Sequence, residues 1–203
     1  FDDAPDEAMA AAENEQAGEI DLTTSDKVVN GVYTISSAGD HKFICSQETG
    51  NRIVVDGKKI SAKDSINIYL NKVNINTSTG PALRINVNVK ATVTIYLTGT
   101  NNLIAKNTWY AGLQKANEAS LIITTKVLDT TAGILNARSI DGDSAGIGGS
   151  KGHAGSDITI NNSSVTASST DGAGIGGGGY GADSGRGSGR DITINSSSVT
   201  ASS

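Results

Sequence analysis

Short runs of alternating apolar and polar residues fill the chain from Val28 onward, separated by Gly, Asn, Asp and Ser. Such alternation is typical of β-strands, because successive side chains of a strand point to opposite faces. One run recurs as SINIYL, TVTIYL, SLIITT, DITINN and DITINS, beginning at positions 65, 92, 120, 157 and 191. The steps between these positions are 27, 28, 37 and 34 residues. The pattern therefore predicts an internal repeat with a strand in each copy.

Two further elements recur in the same order. PALRI, AGLQ, AGIGG and AGIGG begin at positions 81, 111, 145 and 173, and VNI, LIA, ILNA, SVTA and SVTA begin at 73, 103, 134, 164 and 198. Three short strands cannot bury an apolar face alone, so the repeats are expected to stack. Stacking predicts three aliphatic columns: Ile66, Val93, Leu121, Ile158 and Ile192; Ile68, Ile95, Ile123, Ile160 and Ile194; Leu83, Leu113, Ile147 and Ile175.

The predicted fold is an all-β, right-handed parallel β-helix, or β-solenoid, with three short strands per turn over residues 28–203. Equivalent strands should lie about 4.8 Å apart, and the handedness follows from the twist of strands in parallel crossovers. We expect five to six turns. AGIGG segments are expected at corners that need positive φ or close backbone approach, and residues 177–189 are expected to form an extruded loop.

Residues 1–27 differ from the repeats. The first 20 residues hold seven Asp or Glu and no Lys or Arg. Pro can start a helix and Ala and Glu propagate it, so a helix from about Pro5 to Gln16 is one prediction. Two interpretations stay open: a solvated acidic arm, or a cap that covers an exposed sheet edge.

Composition and charge restrict the class of protein. Only 36% of residues are hydrophobic, which suits a thin, elongated core. The net charge is −5 and the basic residues are scattered along the sequence, so nucleic acid is not an expected partner. Cys45 is the only cysteine, and no apolar stretch is long enough to span a membrane. Because the chain begins with Phe1, we expect an exported protein, extracellular or at the cell surface, whose leader has been removed.

Aromatic residues supply the candidate ligand-binding positions. Tyr69 and Tyr96 occupy the same repeat position, and strand alternation points both outward, so their rings should stack as an exposed ladder. With Trp109 and Tyr110 near the next corner, they could form an apolar platform for a sugar or another subunit. The alternative is packing between neighbouring turns without a ligand.

Acidic residues near the AGIGG segments are candidate metal ligands. Asp141 and Asp143 precede one segment and Asp171 precedes the next. Oxygen ligands repeated at a solenoid corner can hold calcium. The alternative is turn chemistry, because Asp favours tight turns. Asp157 and Asp191, which open two equivalent strands, allow the same two interpretations.

Catalytic residues are not expected. His41 and His153 lie in different sequence environments, without a recognisable nucleophile motif, and are expected in exposed loops. Outward strand positions are mostly Ser, Thr and Asn, which do not supply an acid–base pair. The sequence therefore predicts a protein that is not an enzyme.

The segment NRIVVDGKKISAKDSINIYLNKVNINTSTGPALRI, with TVTIYLTGTNNLIA and the AGLQ and AGIGG segments, resembles the family of bacterial surface carbohydrate-binding domain-containing proteins. The resemblance covers about residues 28–203. It implies a right-handed parallel β-helix, export to the cell surface and, in some members, binding of acidic plant polysaccharide with calcium. It assigns no ligand residue to this chain.

Two functions are expected from these observations. The first is a non-catalytic surface module that binds glycan, as in adhesion. The second is a structural subunit of an extracellular filament. The sequence stops at SSSVTASS, inside a repeat. If Ser203 is the natural terminus, the open end of the solenoid is expected to stack head-to-tail on another copy.

Overall fold

The computed structural model describes residues 18–107, 109–115, 118–125, 133–181 and 185–203. Three parallel sheets wind into a β-solenoid of about five turns, as predicted. The strands in chain order are β1 Glu19–Asp21, β2 Val32–Ile35, β3 Gly39–Ile44, β4 Arg52–Val55, β5 Ser65–Asn71, β6 Asn74–Thr77, β7 Leu83–Ile85, β8 Thr92–Thr98, β9 Thr100–Ala105, β10 Leu113–Lys115, β11 Ser120–Thr125, β12 Ile134–Ser139, β13 Ile147–Gly148, β14 Gly155–Asn161, β15 Ser164–Ser168, β16 Ile175–Gly176, β17 Tyr180–Gly181, β18 Gly185–Arg186, β19 Gly189–Asn195 and β20 Ser198–Ser202.

Each complete coil passes through the three sheets in a fixed order. Sheet I contains β1, β3, β5, β8, β11, β14 and β19. Sheet II, which follows it along the chain, contains β6, β9, β12, β15 and β20. Sheet III closes the coil and contains β2, β4, β7, β10, β13 and β16. A short 3-10 turn, Gly57–Lys59, lies between β4 and β5.

Strand register confirms the predicted aliphatic columns. Within sheet I, Ile66 pairs with Val93, and the pairing continues through Leu121 and Ile158 to Ile192. The Ile68 column and the Leu83 column are also in the predicted register. Most of these side chains are fully buried, because alternate strand positions face the interior of every coil.

AGIGG segments form strands as well as corners. Their Ile-Gly pairs are β13 and β16, as the three-strand repeat predicts, and the residues on either side of each pair lie outside the strands. The expected backbone conformation is confirmed, since Gly148 and Gly176 have φ of 128° and 129°. A Cβ on Gly148 would collide with the carbonyl oxygen of Gly176 in the next coil. Glycine is therefore required here by close approach as well as by conformation.

One residue in the left-handed region turns the chain from sheet I to sheet II. Its φ lies between 47° and 61° in the four coils where it is described, at Lys72, Gly99, Asn162 and Ser196. A single such residue changes the direction of the chain sharply. Only two residues therefore separate the end of β5 at Asn71 from the start of β6 at Asn74.

The N-terminal segment takes part in the solenoid from Glu19. β1 pairs in parallel with β3, and Leu22 is fully buried. The side chain of Asn51 donates a hydrogen bond of 2.7 Å to the carbonyl oxygen of Leu22. Within residues 1–27, which the sequence analysis assigned to an arm or cap, β1 and Leu22 thus belong to the first coil. The predicted helix from Pro5 to Gln16 lies outside the described residues.

The excursion predicted at residues 177–189 contains the antiparallel pair β17 and β18. It leaves the coil between β16 and β19, and it lies within the last step of 34 residues, which exceeds the first two steps of 27 and 28. Within the described ranges, no helix is long and apolar enough to cross a membrane.

Candidate functional site

The outer face of sheet I carries the stacked tyrosines. Tyr69 and Tyr96 are register partners, and their ring centroids lie 4.8 Å apart at an interplanar angle of 13°. Both side chains are half-buried. One face of each ring is covered by the other ring.

Polar groups surround this tyrosine pair. Asn67 donates a hydrogen bond of 2.8 Å from Nδ2 to Oδ1 of Asp40, its register partner on β3. The hydroxyl of Tyr69 lies 3.5 Å from the other oxygen of the same carboxylate. Burial, together with the negative charge of Asp40, raises the pKa of Tyr69. The phenol therefore stays protonated and can donate a hydrogen bond.

Trp109 and Tyr110 lie elsewhere, in the turn from sheet II to sheet III. Trp109 is 58% exposed, and the ammonium of Lys151 lies 5.0 Å from the centroid of its ring. The same ammonium forms an ion pair with Asp143. The four predicted aromatic residues therefore fall into two places, and only Tyr69 and Tyr96 form a common surface.

The three candidate calcium ligands occupy the same turn in successive coils. Asp141 has a φ of 58°, and its N–H donates to the hydroxyl of Thr170. The carboxylate of Asp143 is paired with Lys151. Across the part of the chain that the structure describes, no three His, Cys, Asp or Glu side chains come together as a metal-binding group. The geometry favours the turn interpretation, and calcium binding at Asp141, Asp143 and Asp171 stays a prediction.

Both histidines hydrogen-bond to the backbone. His41 lies in β3, half-buried, so its expected place in an exposed loop was wrong. Its Nε2 is 3.0 Å from the carbonyl oxygen of Ser37. His153 is exposed, with Nδ1 2.8 Å from the carbonyl oxygen of Lys151. The two rings lie on different sides of the coil and share no partner among the described contacts.

A groove of about 470 Å³ lies beside sheet III, and the sequence analysis missed it. Its lining includes Arg84, Gln114, Lys115 and His153. Arg84 and Lys115 come from neighbouring strands, β7 and β10, at different positions of the repeat, and Glu118 also lines the groove. Lys115 occupies an inward position that is apolar in β7, and this departure from the alternating pattern in LQK was the available signal.

The class of protein is therefore a parallel β-solenoid with polar outer faces, a stacked tyrosine pair on sheet I and a groove beside sheet III. Comparison with protein-family models, with curated proteins and with solved structures gives no match. The resemblance to surface carbohydrate-binding proteins accordingly stays a prediction.

Proposed function

We propose that this chain is a non-catalytic, exported solenoid module that binds glycan through the outer face of sheet I. The observation that carries the proposal is the stacked pair of Tyr69 and Tyr96 beside the Asp40–Asn67 hydrogen bond. Sugars combine apolar C–H patches with closely spaced hydroxyl groups. Aromatic rings attract the C–H patches through their negative faces, while carboxylate and amide groups pair with the hydroxyls.

Rigidity of the site supports the same proposal. Both tyrosines project from central strands of a seven-stranded sheet, with a buried aliphatic residue on either side of each in sequence. Side chains held in this way lose little conformational entropy when a ligand binds.

The test is a glycan array probed with the full chain, with and without calcium, followed by affinity measurements on the glycans that bind. Replacing Tyr69 and Tyr96 by Ser should weaken binding about tenfold or more. Circular dichroism should stay unchanged, because both side chains lie outside the aliphatic core.

Trp109→Ser is the matched control, since it removes an exposed aromatic ring at a different corner of the coil. It should leave glycan affinity unchanged. Unaltered affinity in the Tyr69→Ser and Tyr96→Ser variants, or equal loss in the Trp109→Ser variant, would contradict the proposed site.

The second candidate is self-assembly of an extracellular filament. Ile192 and Ile194 in the last described coil are 36% and 48% exposed, whereas their register partners Ile158 and Ile160 are fully buried, and any coil stacked on them, from further chain or from a second copy, would bury them. Burying such side chains against another coil is favourable. A second copy that stacks its first coil here would continue the three sheets, and the association would grow as a fibre.

A further inference from the structure

Two arginines lie next to each other on the outer face of sheet III. Arg52 of β4 and Arg84 of β7 occupy outward strand positions, since the alternate residues Ile53 and Leu83 are fully buried. Arg84 is the register partner of Val54, which is two residues after Arg52. Neighbouring strands lie about 4.8 Å apart and two residues span about 6.6 Å, so the two Cα atoms are about 8 Å apart. Both long side chains therefore reach the same part of the surface.

A missing side chain makes room for the guanidinium of Arg52. A Cβ added at Gly80 would collide with Nη1 of Arg52, and the three atoms nearest to that position all belong to this side chain. Tyr110 has the equivalent place in the following coil, because it precedes Leu113 by three residues as Gly80 precedes Leu83. Tyr110 is close enough to act on the pKa of Arg52. The guanidinium thus lies over Gly80, beside Tyr110.

Neither arginine has a negative partner within the protein. Among the described residues, no carboxylate forms an ion pair with Arg52 or Arg84, and no side-chain hydrogen bond joins either guanidinium to the rest of the chain. Glu118 lines the groove that Arg84 borders, but it is exposed and does not pair with Arg84. Two positive charges therefore stand together without a counter-ion on a chain whose net charge is −5.

This arrangement is unfavourable in the free protein. Burial lowers the pKa of Arg52, and the like charge of Arg84 lowers it too, although Tyr110 acts in the opposite direction. Nε of Arg52 is inaccessible to solvent and has no hydrogen-bond partner. The two Nη atoms are not enclosed in this way, so they remain within reach of a ligand. An anion held by these atoms would offset the repulsion between the two arginines.

We propose that Arg52 and Arg84 together bind a phosphate group on the outer face of sheet III. Guanidinium groups donate paired, planar hydrogen bonds that match phosphate oxygens. A phosphate monoester carries a charge of about −1.5 to −2 at neutral pH, which compensates two cations better than the single charge of a carboxylate does. This site is separate from the proposed glycan face, because the tyrosine pair lies on sheet I.

Four probes test the proposal by calorimetric titration of the full chain at low salt and pH 7.5. Inorganic phosphate and glucose 6-phosphate carry the proposed group, gluconate carries a carboxylate, and glucose is neutral. At least one phosphate probe should bind with a dissociation constant below about 1 mM. Gluconate should bind at least about fivefold more weakly, and glucose should not bind. Tighter binding of glucose 6-phosphate than of inorganic phosphate would identify an ester as the ligand, and the reverse order would identify the free ion.

Two charge variants connect binding to the named atoms. Arg52→Gln and Arg84→Gln should each weaken binding of the phosphate probe about tenfold or more. Arg84→Gln should leave the melting temperature of the ligand-free protein unchanged or raise it, because it removes a repulsion and breaks no ion pair among the described residues. Arg138→Gln is the matched control, since it removes an exposed guanidinium from sheet II, and it should change neither quantity.

A third variant keeps both charges and changes their placement. Gly80→Ala puts a methyl group where the guanidinium of Arg52 lies, so it should weaken phosphate binding severalfold without altering the net charge. Absence of binding by both phosphate probes, equally tight binding of gluconate, or unchanged affinity in both arginine variants would overturn the proposal. An equal loss of affinity in Arg138→Gln would overturn it as well, because binding would then depend on overall charge.

Discussion

At the scale of single residues, Asn101 shows how a polar side chain can replace a core aliphatic one. It lies fully buried in β9, opposite Leu135 of β12. Its Oδ1 accepts a hydrogen bond of 2.9 Å from the N–H of Val73, and its Nδ2 lies 3.2 to 3.3 Å from three backbone carbonyl oxygens. The bond from Val73 satisfies an N–H at the turn between sheets I and II, whereas the carbonyl oxygens of Thr98 and Gly99 also accept from backbone N–H groups.

Replacing Asn101 by Leu should therefore destabilise the protein although Leu matches the apolar column. The expected loss is about 2 to 3 kcal/mol in the free energy of unfolding, because the Val73 N–H is left without an acceptor and the bonds from Asn101 Nδ2 are lost. Urea denaturation measures the effect. Asn136→Leu, at a half-buried outward position whose Nδ2 donates to Asn102, should cost less than about 1 kcal/mol. Equal losses in the two variants would contradict this assignment.

At the scale of structural elements, side chains tie neighbouring turns together. Asp56, at the start of the 3-10 turn, accepts a hydrogen bond of 2.6 Å from Asn88 Nδ2 in the next coil. Asn88 Oδ1 in turn accepts from the N–H of Gly57 at 3.1 Å. On sheet II, an outward ladder of amide groups, Asn74, Asn102 and Asn136, joins three coils in the same way. Such hydrogen bonds fix the position of each coil relative to its neighbour along the solenoid axis.

The Asp56–Asn88 contact predicts a pH-dependent contribution to stability. The hydrogen bond from Asn88 is the largest cause that holds the pKa of Asp56 below its usual value. A carboxyl group whose pKa is lower in the folded state stabilises the fold above its unfolded pKa, and that contribution is lost as pH falls through the folded pKa.

Asn88→Ala should thus raise the pKa of Asp56, measured by NMR titration, and cost about 1 kcal/mol of unfolding free energy at pH 7. This difference from the wild type should shrink as the pH falls below about 4. Lys58→Gln should have a much smaller effect, because the ammonium lies 3.6 Å from the carboxylate and is largely solvated. A larger effect of Lys58→Gln than of Asn88→Ala would contradict the order of causes.

At the scale of the whole molecule, the two ends of the described solenoid differ. Leu22 and Phe43 are fully buried at the first coil, and Ile192 and Ile194 of the last described coil are partly exposed. The proposed filament would bury Ile192 and Ile194 between copies, and it gives a concentration-dependent prediction.

Sedimentation velocity of the full chain should show species larger than one chain as concentration rises, and electron microscopy should show linear assemblies. Ile194→Asp should reduce association, because it places a charge in the apolar contact. Val87→Asp, at another exposed apolar position away from that end, should not change it. Isolated single chains at all concentrations would exclude the filament.

The sequence by itself determined the coil. The alternation of apolar and polar residues determines which face of each strand is buried. Because the same motif recurs in every repeat, each inward side chain has one equivalent residue in the next coil, as Ile68 has in Ile95. The stacked tyrosines were predictable for the same reason. Asn101 was not, because its hydrogen bonds join residues on both sides of a turn and in different coils.

Tertiary structure alone decided which outer side chains from different repeats share a site. The groove depends on Arg84, Gln114 and Gly148, about 30 residues apart in sequence, and on the path of the loop at Ser150 to Ala154. The contact of Lys151 with Trp109 depends likewise on where that loop folds. The register of the strands in the core follows from the local alternation of apolar and polar residues. Which outer side chains become neighbours depends on the conformation of the turns, and the alternating pattern does not encode that conformation.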